Sequence, residues 1–212
     1  MTYLFDFDGT LVDSMPTFAA VMKRILDENG IPYGEDLVKI ITPLGYGGTA
    51  DYFISLGLKD AKENILKTMN DYARDDYLFR IPAKESVINT LKALKSAGAS
   101  LNVLTASPHL VLDACLKRLG IYSLFDNVWS SDDFPMPKSD PAIYGEAAKR
   151  LGVSVSELLF LDDNLGACTA AKTAGARVCG VFDSSSAEYE EKMRSLTDFY
   201  IRDFSELLSI RL

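Results

Sequence analysis

One histidine, His109, and three cysteines, Cys115, Cys168 and Cys179, are all that 212 residues offer of the commonest transition-metal ligands. A catalytic histidine pair is excluded, and a Ser-His-Asp triad has little to draw on. His109 stands near a predicted helix start, which reads as a surface position. The cysteine number is odd, and no pair has the spacing of a zinc site. Each cysteine sits in an apolar pattern, so buried free thiols in a reducing compartment are expected. Long apolar runs are missing too: none approaches the roughly 20 residues that cross a bilayer. Met1-Thr2-Tyr3 leads into a strand pattern with no basic, signal-like segment. Basic residues are in deficit, 22 Lys and Arg against 30 Asp and Glu. The formal net charge of −8 argues against a general nucleic-acid binder. An anionic substrate would need a local positive site, a metal or a lysine, against that global field.

What is present is ordinary for a globular chain: 48% hydrophobic and 25% charged residues, enough for one large domain or a domain with a smaller insertion. Short apolar runs at Tyr3–Phe7, Leu101–Leu104, Val128–Ser130, Leu158–Leu161 and Val178–Phe182 read as buried parallel strands. Helical stripes lie between the later ones, with Val87, Leu91 and Leu94 in one and Leu112, Cys115, Leu116 and Leu119 in another. Ser107-Pro108 reads as a helix cap followed by proline, with Gly120 closing that helix. Asp140-Pro141 with Gly152, and Asn164 with Gly175, frame two more. Strands alternating with helices predict an α/β, Rossmann-like doubly wound parallel sheet. One region breaks the alternation. About 70 residues without a good strand separate the first strand from the helix near Lys84, far longer than an ordinary connection. Phe18, Val21, Met22, Ile25 and Leu26 form a helical stripe there, and Ala61–Leu78 is a long helical segment. The expectation is a core of residues 1–14 and 82–212 with a small all-helical cap of residues 15–81. Its hinges fall near Val12–Pro16 and Phe79–Lys84.

The stretch "LFDFDGTLVDS", residues 4 to 14, sets two carboxylates at the end of an apolar strand. Residues i and i+2 of an extended segment share a side, so Asp6 and Asp8 can converge at the strand's carboxyl end. Open α/β sheets bind ligands there. A strand followed by an Asp-Gly turn explains Asp8 and Gly9 but not Asp6. A carboxylate between two buried phenylalanines is costly without a cation or strong donors. Three later strand ends add to this. Thr105 follows the apolar run "LNVL", with a helix start behind it that can hold an anion. Lys138 lies among prolines just before a helix. Asp162 and Asp163 close the apolar run "LLFL", where a hard cation would want them. Taken singly, Thr105 reads as a plain strand end and Lys138 as a solvated loop lysine; the ordered set is what is specific.

On these residues the chain resembles the haloacid dehalogenase superfamily over nearly its whole length. Asp6-Phe7-Asp8-Gly9-Thr10 matches the first motif, DxDGT, and Thr105 matches the second-motif hydroxyl. Lys138 matches the third-motif lysine, and Asp162-Asp163 the fourth-motif acids. The helical insertion resembles a C1-type cap of the phosphoglycolate phosphatase and β-phosphoglucomutase branch. Ser139 departs from a common Lys-Pro, and Asp162 from a common Gly-Asp. The resemblance implies that Asp6 attacks a phosphomonoester to give an aspartyl-phosphate, while Asp8 serves as acid and then base. It implies Mg²⁺ on Asp6, the Asp8 carbonyl and Asp163, with Asp162 as a further metal residue whose direct ligation stays open. Thr105, Lys138 and the Ala106 N–H would hold the phosphoryl oxygens. The cap segment Gly45–Thr49, read as a loop, is the candidate for substrate contact, with Tyr46 its one bulky side chain; a plain helix–helix turn is the alternative.

The function so implied is a Mg²⁺-dependent phosphatase. Its partner is a small phosphorylated metabolite, with neither nucleic acid nor membrane involved. The chain is expected to be a cytoplasmic monomer or weak dimer. A sugar phosphomutase shares every core residue and stays open. Dehalogenation does not need Asp8. A phosphonate hydrolase would want a cap lysine, for which Lys39 is the nearest. A receiver-type phospho-acceptor lacks the DxDGT pair and the cap, and a non-catalytic binder would have lost some of Asp6, Asp8, Lys138 or Asp163.

Overall fold

The computed structural model describes residues 1–210. Six strands, β1 (Thr2–Phe5), β2 (Ser100–Thr105), β3 (Asn127–Ser130), β4 (Leu158–Asp162), β5 (Arg177–Val181) and β6 (Phe199–Ile201), form one all-parallel sheet in the order β3-β2-β1-β4-β5-β6. The four inner strands, β2, β1, β4 and β5, are buried on both faces, which is why they read as apolar runs rather than alternations, while the edge strands β3 and β6 are half-buried. Tyr3, Phe5, Leu101, Val103, Leu159 and Leu161 point into one apolar cluster. Their neighbours Leu4, Leu104, Leu158 and Phe160 point into the other. Helices α5 (Val87–Ser96) and α6 (His109–Arg118) cover the first face; α7 (Ala142–Leu151), α8 (Leu165–Thr173) and α9 (Glu190–Leu196) cover the second.

Between β1 and α5 the chain forms α1 (Met15–Glu28), α2 (Leu37–Ile41), α3 (Gly45–Ser55) and α4 (Lys62–Phe79). The stripe Phe18, Val21, Met22, Ile25 and Leu26 is buried on α1, and Ile65, Met69, Ala73 and Tyr77 on α4. Each large apolar side chain so buried contributes about 1.5–3 kcal/mol relative to exposure. The chain leaves and re-enters the sheet layer through two adjacent segments. The Asp13 N–H donates to the Pro82 carbonyl (3.0 Å), and the Lys84 N–H to the Leu11 carbonyl (3.0 Å). Arg118, at the end of α6, donates to the carbonyls of Tyr77 (3.2 Å) and Ile81 at the end of α4, satisfying acceptors the helix cannot.

Five local expectations are corrected. The β1 ladder ends at Phe5, not Phe7; one further bond, Asp6 N–H to the Leu161 carbonyl (2.8 Å), follows before the chain turns away. Gly45–Thr49 is not a loop but the opening of α3, because the Gly45 φ of +62° lets the chain turn and restart a helix at once. Ser107 does not cap α6: Pro108 holds the cap position, and the Ser107 hydroxyl is used elsewhere. The edge strand β6 has three residues among acidic neighbours, too short to show a period. At α7, as at α6, the proline takes the cap position: Pro141 holds it rather than Asp140, and the Asp140 side chain accepts from the Ala142 N–H (2.9 Å). Asn164 caps α8 as read, accepting from the N–H groups of Gly166 (2.9 Å) and Ala167 (3.1 Å). Among the described residues no helix is long and apolar enough to cross a membrane.

Candidate active site

The strand order reverses around β1, which lies between β2 and β4, and the crevice at such a switch point is where open α/β sheets take ligands. A cavity of about 430 Å³ opens there. The carboxyl ends of β1, β2 and β4 bring Asp6, Asp8, Thr105, Ala106, Asp162 and Asp163 to its wall. Lys138 reaches it from the loop before α7, and Tyr46 from α3. Asp6, Thr105, Asp162 and Asp163 are all buried. The residues singled out in five separate stretches of sequence therefore line one cavity.

Lys138 is the cation at its centre. Its ammonium pairs with Asp6 and, at 2.6 Å, with Asp162. Burial disfavours that charge, but the Asp162 and Asp6 carboxylates outweigh it, and the ammonium is held above its usual range. The other Asp162 oxygen accepts from the Asn164 N–H (2.7 Å). Asp163 is locked to the first loop: Thr10 Oγ1 donates to its carboxylate (3.1 Å) and accepts from its N–H (3.2 Å). Gly9 lies against that carboxylate. A Cβ there would sit 2.6 Å from Asp163 Oδ2, and the Gly9 φ is +70°, so only glycine fits.

Asp8 is held differently. Tyr77 Oη, from α4, donates to one of its oxygens (2.5 Å), and Ser107 Oγ to the other. Burial raises the Asp8 carboxyl above the ordinary range, and the neighbouring Asp6 charge adds to the shift. Burial and the Asp8 charge push the Tyr77 phenol well up, so it remains a donor. The two carboxylates thus differ in surroundings: Asp6 faces a cation, while burial and the Asp6 charge, opposed by the Ser107 and Tyr77 donors, bias Asp8 towards holding a proton.

Asp6, Asp162 and Asp163 each present an oxygen within 4.8 Å of the others. Asp163 is raised well above its usual value by burial first, then by the charges of Asp162, Asp6 and Asp183. A buried, all-oxygen, mutually repelling set fits a hard divalent cation, which would reverse that repulsion. Asp162 is the member already engaged on both oxygens, by Lys138 and Asn164.

Thr105 Oγ1 accepts from the Ser107 N–H (3.1 Å), fixing the turn that carries Ala106. The Tyr46 ring packs edge-on against Phe18 (5.6 Å between centroids). Lys39 does not reach the cavity; it is exposed and lies 3.7 Å from Glu188. Three groups beside the acids were not singled out in the sequence. Tyr77 reads as one more member of an apolar stripe, and Ser107 as a cap. Lys84, at the re-entry segment, donates to the carbonyls of Gly9 (2.7 Å) and Phe182 (2.6 Å) and pairs with Asp183 (3.0 Å). It ties the loop after Asp8 to the end of β5. None of the three had a sequence signal beyond its element.

The haloacid dehalogenase-like hydrolase family model matches residues 3–181. The pyrophosphatase PpaX of Bacillus velezensis is 32% identical, covering 84% of this chain and 81% of that protein. A phosphoglycolate phosphatase of Pasteurella multocida is 30% identical over 97% of this chain and 96% of that one. Among solved structures, CbbY from Rhodobacter sphaeroides in complex with phosphate has the same fold. Its TM-score is 0.83 at 21% identity, covering 97% of this chain and 95% of that one. The first motif, the buried acids with their lysine, the inserted helices and a match over most of the sequence agree: the chain belongs to the haloacid dehalogenase-like hydrolases.

Proposed function

We propose that this protein is a Mg²⁺-dependent phosphatase of small phosphorylated metabolites that works through an aspartyl-phosphate on Asp6. The observation that carries this reading is the contrast between the two motif carboxylates. Asp6 sits against Lys138, and Asp8 sits two residues away among neutral donors with a raised pKa. In the first half-reaction a carboxylate oxygen of Asp6 bonds to phosphorus as the ester P–O bond breaks, and Asp8 gives its proton to the departing oxygen. In the second, Asp8 takes a proton from water, whose oxygen bonds to phosphorus and releases Asp6. Lys138, Thr105 and the Ala106 N–H hold the phosphoryl oxygens, and Asp162 orients Lys138. Asp6, Asp163 and the Asp8 carbonyl would hold the Mg²⁺, with Asp162 beside them; the ion's role is to neutralise charge on the phosphoryl oxygens. Residues 15–81 act as a cap over a core of residues 1–14 and 82–212, excluding water and contacting the leaving group.

The test is phosphate release from a panel of phosphorylated metabolites, with Mg²⁺ and with chelator, alongside Asp6→Asn. Release that depends on Mg²⁺ and falls by about a thousandfold or more in the variant is expected, the scale on which loss of a nucleophile is felt. Conversion of one sugar phosphate into another without release would point to a phosphomutase. No reaction of either kind across the panel would contradict the reading.

A further inference from the structure

The side of the cavity away from the acids has a composition of its own. It is walled by Met15, Phe18, Leu44 and Tyr46 and by the first turn of α3. The cap segment, residues 15–81, contains eight lysines and arginines, and none lines the cavity. They turn outward instead: Arg24 pairs with Glu28, Lys62 with Asp51, Lys67 with Asp71 and Arg80 with Asp76. Among the described residues Lys138 is the one cation on the wall, and it is already committed to Asp6 and Asp162. The remaining charges on the wall are carboxylates. A second anionic group on the substrate would therefore be desolvated next to aromatic and aliphatic side chains with no counter-ion. The first turn of α3 offers only the partial charge of a helix end, which is much weaker than a side-chain cation.

The wall does offer hydroxyl groups. Ser14, Thr42 and Ser131 line it with uncharged hydroxyl side chains, a composition that suits a hydroxyl-bearing leaving group better than an anionic one.

We infer that the cavity selects an uncharged leaving group: a phosphomonoester of a neutral alcohol, such as a polyol or sugar, in preference to one bearing a second phosphate or a carboxylate. This rests on the phosphatase reading for its reaction. It separates the chain from relatives whose names denote pyrophosphate or phosphoglycolate. Discrimination comes from the missing counter-ion, so it applies to binding as well as to turnover.

The test uses pairs of closely similar size in which a carboxylate replaces a terminal CH2OH group: ethylene glycol monophosphate against phosphoglycolate, and glycerol 3-phosphate against 3-phosphoglycerate. Values of kcat/KM are measured on the Mg²⁺-loaded protein, and binding of the same four esters to Asp6→Asn by calorimetry. The neutral member of each pair is expected to be favoured by about tenfold or more in both readouts, the cost of leaving one charge unpaired. Gly47→Lys adds a cation to the wall at a position where a Cβ meets nothing within 4 Å. It should shrink the preference severalfold or reverse it. Hydrolysis without preference, or in favour of the carboxylates, overturns the inference and leaves the phosphatase reading standing. Binding preference without hydrolysis does the reverse. Failure of all four esters to bind overturns the inference as well.

Discussion

At the scale of single residues, the site is built by giving like groups unlike surroundings. Asp6 and Asp8 have the same chemistry and lie two positions apart, yet one meets a lysine and the other a phenol and a hydroxyl. The pairing of carboxylates could be read from the sequence because an acid between Phe5 and Phe7 is costly in an unoccupied core. The partners of Asp8 could not be read, because Tyr77 is 69 residues away and its spacing on α4 is that of a core stripe. Gly9 illustrates the same limit. Its turn is legible from Asp-Gly, but its contact with Asp163 depends on a strand more than 150 residues later. His109 behaves as its surface position predicts. Its ring nitrogens lie 2.9 Å from Asp113 and 2.9 Å from Asp133, and these contacts, led by Asp113, raise its pKa above the ordinary 6.5. The sign follows: the stabilisation is complete below about pH 6.5 and is lost as pH rises through the folded-state value. With the side chain 43% exposed, solvent screening keeps the contribution below about 1 kcal/mol. A proton NMR titration of this lone imidazole should give a pKa above 6.5 that falls in Asp133→Asn; an unchanged value would contradict the pairing.

At the scale of elements, the strands and caps that obey local rules were the legible part. Five of the strands were visible as apolar runs, four of them because the inner strands of a parallel sheet are buried on both faces, and Asn164 marked the start of α8 by its side chain. The errors fall where a local signal had two physical solutions. Gly45–Gly48 carries loop composition, but a glycine at positive φ also starts a new helix cleanly, and packing of Thr49, Ala50 and Phe53 decides for the helix. Ser107-Pro108 has the form of a helix cap, but Asp8 takes the hydroxyl. The element with the most direct bearing on chemistry is α4, which carries Tyr77 to Asp8 in its last turn, where Arg118 of α6 holds the Tyr77 carbonyl. Tyr77→Phe keeps the ring that packs on Phe7 (6.0 Å between centroids) and removes only the donor. A loss of about tenfold or more in kcat is expected, the worth of a hydrogen bond to a charged group, with unfolding temperature nearly unchanged. A variant with full kcat would show that the phenol only fills space.

At the scale of the whole molecule, the chain must bring a phosphorylated anion to a protein of net charge −8. The fold does this by concentrating acids and one lysine at the switch point of the sheet, where the three carboxylates of Asp6, Asp162 and Asp163 could hold a divalent cation. The inserted helices then close the other side with a wall free of side-chain cations. This division was legible in outline, since the long interruption after β1 announced an insertion, but the outward facing of its charges was not, because helical periodicity alone does not say which face meets the site. The central claim is that Asp6 carries the phosphoryl group between substrate and water. It is tested most directly by acid-quenching the Mg²⁺-loaded protein during turnover, reducing with borohydride, and mapping the modified residue by mass spectrometry. An acyl phosphate is reduced where a free carboxylate is not, so the expected result is a reduced side chain at position 6 that vanishes without substrate and in Asp6→Asn. Turnover with no modification at position 6, or with the mark on another residue, would contradict it.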